Sequence, residues 1–249
     1  MQTLVEFIAQ YRPGFSEEIV PADELDIALL EEHAGPLPGA YLRFLQTMGT
    51  STGEFSFAEA SFSIDGTIMT YQAKPWLRQG RFINVAGDNG LSGWDYFLDR
   101  SRPYGADDCM LVRMPLEEGF PPEASHPEHA GLEEFLYYEA FKALRLPMLP
   151  HRREFSSPED PGAAARYRAD LVSALAEKKG FERIGPTRRC ALYERGDAGL
   201  LLYQHPAAPA FSFSLGCEEP AEMEQLARDF EARTGLRGVA PRVASPPGL

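Results

Sequence analysis

The chain has 249 residues, 44% of them apolar and 24% charged, which is enough to bury a core and too apolar for a disordered chain. It carries 24 Lys and Arg against 37 Asp and Glu, a formal net charge of −13, which argues against direct binding to nucleic-acid phosphates. No run of about 18 apolar residues is present, so no transmembrane helix and no membrane partner are expected.

The opening MQTLVEFIAQYRPG has an early Glu6 and no basic segment, and does not read as a secretory signal. Cys109, Cys190 and Cys217 are scattered and offer neither a disulfide framework nor paired metal spacing, so a cytoplasmic location is expected. The charge is unevenly placed. Residues 1–150 hold 10 Lys and Arg against 23 Asp and Glu, and residues 151–249 hold 14 against 14. Acidity can serve solubility alone, or it can draw a basic partner.

Residues 3–11 suit a short helix with Leu4, Phe7, Ile8 and Tyr11 on one side. In VPADELDIALLEEHAG, Asp23 suits an N-cap, and Gly35 ends a helix carrying Leu25, Ile27, Ala28, Leu29 and Leu30. GPLPGAYLRFLQTMG follows, with Pro38 at a first helical position, Gly49 at a left-handed exit, and Tyr41, Phe44, Leu45 and Met48 on a core stripe. The two helices predict a tight hairpin.

The period then changes. GEFSFAEASFSIDGTIMTYQ places Phe55, Phe57, Phe62, Ile64, Ile68 and Tyr71 around a DG turn signal at 65–66 and predicts strands. Apolar runs at 82–86 and 94–98 flank the Gly/Asp/Asn turn GDNG, and a third run spans 109–114. A loop through SHPEH leads to the helix GLEEFLYYEAFKALRL. Helices, then an antiparallel meander, then a helix make an α+β domain over 1–146.

The Pro-, Ser- and charge-rich stretch 147–162 reads as a linker. A small α-βββ-α unit is expected over 163–240. Its first helix spans 163–179, its strands are RRCALYE, GLLLYQH and AFSFSL, and its closing helix holds Met223, Leu226 and Phe230 between Pro220 and Gly235. Residues 241–249 read as a loose tail.

Chemistry-bearing motifs are sparse. His126 and His129 sit three apart, but Pro127 and the lack of a third ligand leave them as exposed loop histidines. GDNG lacks the lysine and spacing of a phosphate loop. Cys109 lies inside a strand pattern and reads as a small core residue. No catalytic set, metal site or cofactor is expected, and the chain is not expected to be an enzyme. What stands out is an acidic and aromatic cluster about the strand loops: Asp65, Asp88, Asn89, Trp94, Asp95, Tyr96, Asp99, Asp107 and Asp108. Alternation puts Trp94, Tyr96 and Leu98 on one face and Asp95, Phe97 and Asp99 on the other. Such a surface suits a partner rich in Arg and Lys. The plainer alternative is a half-exposed sheet whose aromatics pack against the helices.

The run LLEEHAGPLPGAYLRFLQTMG, with Glu31, Glu32, Gly35, Leu37, Pro38, Tyr41, Phe44, Leu45 and Gly49, resembles the signature of the SUKH superfamily. FINVAGDNGLSGWDYFLDRS and the helix around LEEFLYYEAF resemble that family's later segments, so the resemblance covers about residues 20–145. It implies an α+β binding scaffold. Its bacterial members are commonly immunity proteins that block a toxin, often a nuclease or another nucleic-acid-modifying enzyme. Relatives include a fungal cell-wall regulator and the Syd protein. The resemblance thus implies stoichiometric binding of a basic cognate toxin. The alternative is a regulatory or scaffolding module with a host protein partner. For the C-terminal unit three roles stay open: extending the interface, mediating a homodimer, or recognising a second partner.

Overall fold

Capping chemistry sets where the first helices begin. In a computed structural model, which describes residues 3–58, 60–88, 93–158 and 160–240, Thr3 and Glu6 form a reciprocal capping box that starts α1, Leu4–Ala9. A short turn, α2, spans Phe15–Glu18. The Asp23 carboxylate then accepts from the Leu25 amide at 2.9 Å and opens α3, Glu24–Ala34. Gly35, at φ 83°, closes it. The Arg100 guanidinium donates to the carbonyls of Ala34 (2.7 Å), Pro36 (2.9 Å) and Gly80 (2.7 Å), a cation where the helix dipole favours one.

The next helix, α4, spans Gly39–Met48 and buries Tyr41, Phe44, Leu45 and Met48, the expected stripe. Its ends differ in detail from expectation. Pro38 is the N-cap residue, in an extended conformation, and Gly49 is right-handed at φ −69°. Gly49 is needed for space instead: a Cβ there would lie 2.7 Å from the Leu45 backbone and 3.0 Å from Ala22.

The expected strands between 55 and 71 are mostly absent. Among the described residues there, only Ala60–Ser61 forms a strand, β1, and Ile64–Ala73 is a helix, α5. Ile64, Thr67, Ile68 and Tyr71 are buried at helical spacing, so Asp65 and Gly66 lie in a first turn and not in a hairpin. The meander follows as expected: β2 (Phe82–Asp88), β3 (Trp94–Tyr104) and β4 (Asp108–Pro115). A short β5, His126–His129, pairs with β4, and α6 spans Leu132–Ala140. The sheet order is β1-β2-β3-β4-β5, every pair antiparallel.

SHPEH is therefore not an exposed loop. Its pairing with β4 turns His129 inward, where it is buried against Phe135 and Tyr138. His126 stays exposed.

The chain divides into two compact units, Met1–Ala140 and Phe141–Leu249. In the second, the stretch that composition marks as a linker contains a strand, β6 (His151–Ser156), paired in full register with β10 (Phe211–Cys217). Alternation explains it: Phe155 is buried while Arg152, Glu154 and Ser156 are exposed. A turn, α7 (Pro161–Ala164), and α8 (Ala169–Lys178) replace the single expected helix. The remaining strands are β7 (Glu182–Ile184), β8 (Ala191–Arg195) and β9 (Ala198–Gln204), and α9 (Pro220–Thr234) closes the unit with Gly235 left-handed at φ 75°. The sheet order is β6-β10-β9-β8-β7.

One face of this sheet packs Tyr193, Leu200, Leu202, Phe213 and Leu215 against Val172, Met223, Leu226 and Phe230 of α8 and α9. The opposite face has two glycines in register, Gly199 and Gly216. A Cβ on Gly216 would lie 2.9 Å from Leu149, and one on Gly199 would lie 3.2 Å from Leu149 and 3.3 Å from Phe141. The glycines make room for the segment 141–149 to lie against the strands. Both units are mixed helix and antiparallel sheet, so the fold class is α+β. The expected tail, 241–249, lies outside the described residues.

Candidate functional site

The acidic and aromatic residues singled out from sequence do not form one surface. Asp99, on β3, is fully buried. Arg81 grips its carboxylate with two bonds, at 2.7 Å and 2.5 Å, and the Ser101 amide and hydroxyl donate to it at 3.0 Å and 2.7 Å. Burial alone would raise its pKa, but Arg81 and Ser101 outweigh burial and hold the carboxyl below the usual range.

Asp95 is also buried and accepts from the Asp88 amide at 3.0 Å. Burial raises its pKa, against the Asp88 amide. Asp108 is buried at the start of α6, where it accepts from the amides of Cys109 (2.7 Å) and Glu133 (3.1 Å). Burial pushes it up to about 6 in spite of these donors. Tyr96 is buried beneath the Arg113 guanidinium, 5.0 Å from its ring centroid.

Asp95, Tyr96, Asp99 and Asp108 are therefore buried in the first unit and offer little surface to a partner. Both faces of β3 are buried from Asp95 to Asp99, because helices and loops cover the side that alternation alone leaves open. Asp107 is half exposed but paired with Arg43. Asp88 is half-buried and bonds the Gly93 amide. Asn89 lies outside the described residues. Of the nine, Asp65 is exposed on α5, and Trp94 is half-buried.

Three further surfaces of the first unit are open. A groove of about 240 Å³ runs between α1, α4 and α6, walled by Leu4, Val5, Phe44, Met48, Leu136 and Tyr137, with Arg43 and Glu133 also lining it. A shallow hollow of about 300 Å³ on β3–β5 is lined by Trp94, Arg113, His126 and Glu128, and Phe120 meets the Trp94 ring edge-on. The third is the outer side of α3 and α5. There Glu24, Leu25, Ala28, Glu31, Glu32, Asp65 and Met69 are exposed, while Ile27, Leu30, Ile64 and Ile68 of the same helices are buried.

Of this surface the sequence shows the acidic α3, but residues 64–71 read as strand and Leu25 reads as core. Its neighbours Ile27 and Leu30 take the inward side, and 140° of helix separates Leu30 from Leu25 at about 100° per residue.

Among the described residues, no group of three His, Cys, Asp or Glu side chains could hold a metal ion, and no helix is long and apolar enough to cross a membrane. No family model matches this sequence, and no curated protein matches it.

Proposed function

We propose that this chain is a SUKH-type immunity protein that neutralises a cognate toxin by stoichiometric binding in the cytoplasm, without catalysis. One observation carries the reading: the division of charge between the two units. Residues 1–140 contain eight Lys and Arg against 23 Asp and Glu, whereas residues 141–249 contain 16 against 14. The order of helices, then strands about the Gly/Asp turn, then a closing helix is the order that the resemblance implies and supports the reading.

A toxin that acts on nucleic acid must carry positive charge to hold phosphates. An acidic unit can offer carboxylates in their place, which speeds encounter and rejects wrong partners. The same charge disfavours direct nucleic-acid binding by this unit.

The test is co-expression with the protein encoded by the adjacent gene. We expect a complex of defined stoichiometry that survives size-exclusion chromatography, and cells that are killed by the neighbour alone but rescued by this chain. No rescue together with no measurable binding would overturn the reading. A stable complex with a host housekeeping protein in its place would favour a regulatory module.

A further inference from the structure

We propose that the outer side of α3 and α5 is the docking face for the basic protein partner, with Leu25 and Met69 as apolar anchors set among carboxylates. This rests on the toxin-binding reading above and adds where the partner sits and what it must present.

A single exposed leucine on a helix needs no explanation, since leucine is a good helix former and isolated apolar side chains are common on surfaces. Clustering is different. The large apolar side chains exposed among the described residues of the first unit are Val20 (45%), Leu25 (79%) and Met69 (67%). Val20 and the first turn of α3, which carries Leu25, meet the start of α5, whose second turn carries Met69. Val20 precedes α3 and pairs with Ser51, the Ala22 amide bonds the Leu45 carbonyl, and the Ile64 amide at the start of α5 bonds the Gly49 carbonyl. The two helices thus start together against the end of α4. At their far ends His33 of α3 stacks on Tyr71 of α5, with ring centroids 6.3 Å apart. They lie side by side in the same direction, and their outer sides make one surface.

That surface is rigidly backed. Ile27, Leu30, Ile64, Ile68 and Tyr71 anchor it in the core, and the Tyr71 hydroxyl accepts from the Asn84 amide at 3.1 Å. A preformed face loses little entropy on binding.

Charge says what covers it. Between Arg12 and Lys74 the sequence has one cation, Arg43, and ten Asp and Glu. Arg43 is held by Asp107. Glu24, Asp26, Glu32 and Asp65 form no ion pair among the described residues. A second copy of the same face would oppose carboxylate to carboxylate. The complementary partner presents Lys and Arg around a small apolar pocket. By contrast, the Trp94 hollow mixes Arg113, His126 and Glu128 and has no such bias.

The roles divide in a way that kinetics can read. Apolar anchors hold a complex and act on dissociation, whereas rim carboxylates steer encounter and act on association. Binding of the full chain to the adjacent gene's protein would be measured by surface plasmon resonance at low and high salt. Leu25→Glu with Met69→Glu should weaken affinity about tenfold or more, chiefly through faster dissociation. Glu24→Gln with Glu32→Gln should slow association and flatten its salt dependence. Both pairs are exposed, and unchanged melting temperatures would show that the variants are folded. If wild type binds and both variants bind equally well, the docking face is overturned while the toxin-binding reading stands. If wild type neither binds nor rescues, both fall. If sedimentation shows a wild-type dimer that the Leu25 and Met69 changes dissolve, the face belongs to a second copy and the basic partner is overturned.

Discussion

The two units use their carboxylates differently. In the second unit a set of acidic side chains has a cation in place: Glu194 with Arg145 at 2.5 Å, Asp197 and Glu222 with Arg195 at 2.7 Å and 2.6 Å, Glu224 with Arg153 at 2.6 Å, and Asp229 with Lys179. In the first unit Glu18 and Glu54 pair with Arg12, and Asp107 with Arg43, but two other populations stand out. Asp95, Asp99 and Asp108 are buried and satisfied by amides, a guanidinium or both. Glu24, Glu31, Glu32 and Asp65 face solvent on helices that carry no Lys or Arg. Net charge in a sequence therefore does not locate a binding surface; burial and pairing separate the acids that build the fold from those left over.

The largest expected effect belongs to the buried population. Asp99→Ala leaves Arg81 and the Ser101 groups without their acceptor, and we expect a loss of about 3 kcal/mol, as for a buried pair that loses one member. Urea unfolding would measure it. The pH dependence gives a sharper reading. A carboxyl held below its unfolded value, near 3.9, contributes stability that is present above that value and is lost as pH falls through the folded one. With Asp99→Asn the gap from wild type should be full at pH 7 and shrink below about pH 4. A gap that stays constant down to pH 2.5 would mean that the Arg81 contact does not set the charge.

The second unit offers a comparable test on packing. Gly216→Ala forces a Cβ onto Leu149, and overpacking of this kind costs about 1–3 kcal/mol. In a Leu149→Ala background the same change should cost almost nothing, since its obstacle is gone. Equal costs in both backgrounds would show that segment 141–149 does not press on the sheet.

Asp108 should respond to pH in the opposite sense to Asp99, although both belong to the first sheet. Its carboxyl sits at about 6 because burial outweighs its amide donors. A raised folded value means stability that is full below the unfolded pKa and is lost as pH rises through the folded one. Asp108→Asn removes one acceptor from the start of α6, a loss of about 1 kcal/mol for a cap. The gap from wild type should be widest below about pH 4 and narrow as pH rises from there to about 6. A gap that widens with pH would mean that the amides of Cys109 and Glu133 win over burial.

Much of this fold was legible in the sequence, and the failures share a cause. The Asp23 cap, the α4 stripe, the 82–114 meander and Gly235 after α9 follow from local rules and stand in the structure. The errors lie where tertiary pairing overrides composition. The Pro- and Ser-rich segment at 147–162 became a strand because β10 offered an edge, and SHPEH became one because β4 did. Ile64–Tyr71 follows a phenylalanine-rich stretch that suits strands, but its own i, i+3, i+4, i+7 spacing is helical. The candidate site failed for a related reason. Alternation identifies two faces of β3, but only the packed structure shows that both are covered from Asp95 to Asp99. Leu25 errs the other way, since an apolar residue among apolar neighbours gives no sign that it points outward.

The smallest effect tests the comparison most directly, because one chemical change should have opposite signs in the two units. Glu222 stands 2.6 Å from Arg195, so Glu222→Lys replaces an attraction with a repulsion and should destabilise by about 0.5–1 kcal/mol. Glu32 lies in the last turn of α3, next to Glu31, with no ion pair among the described residues. There a cation complements the helix dipole and relieves like charge, so Glu32→Lys should stabilise by about 0.3–0.5 kcal/mol. Paired melts at low and high salt would resolve the two, and salt should shrink both effects. Opposite signs would mean that the outer acids of α3 stand against the stability of their own unit, as expected of charge kept for a partner. A stability loss at both sites would make Glu32 part of the fold and remove it from the docking face.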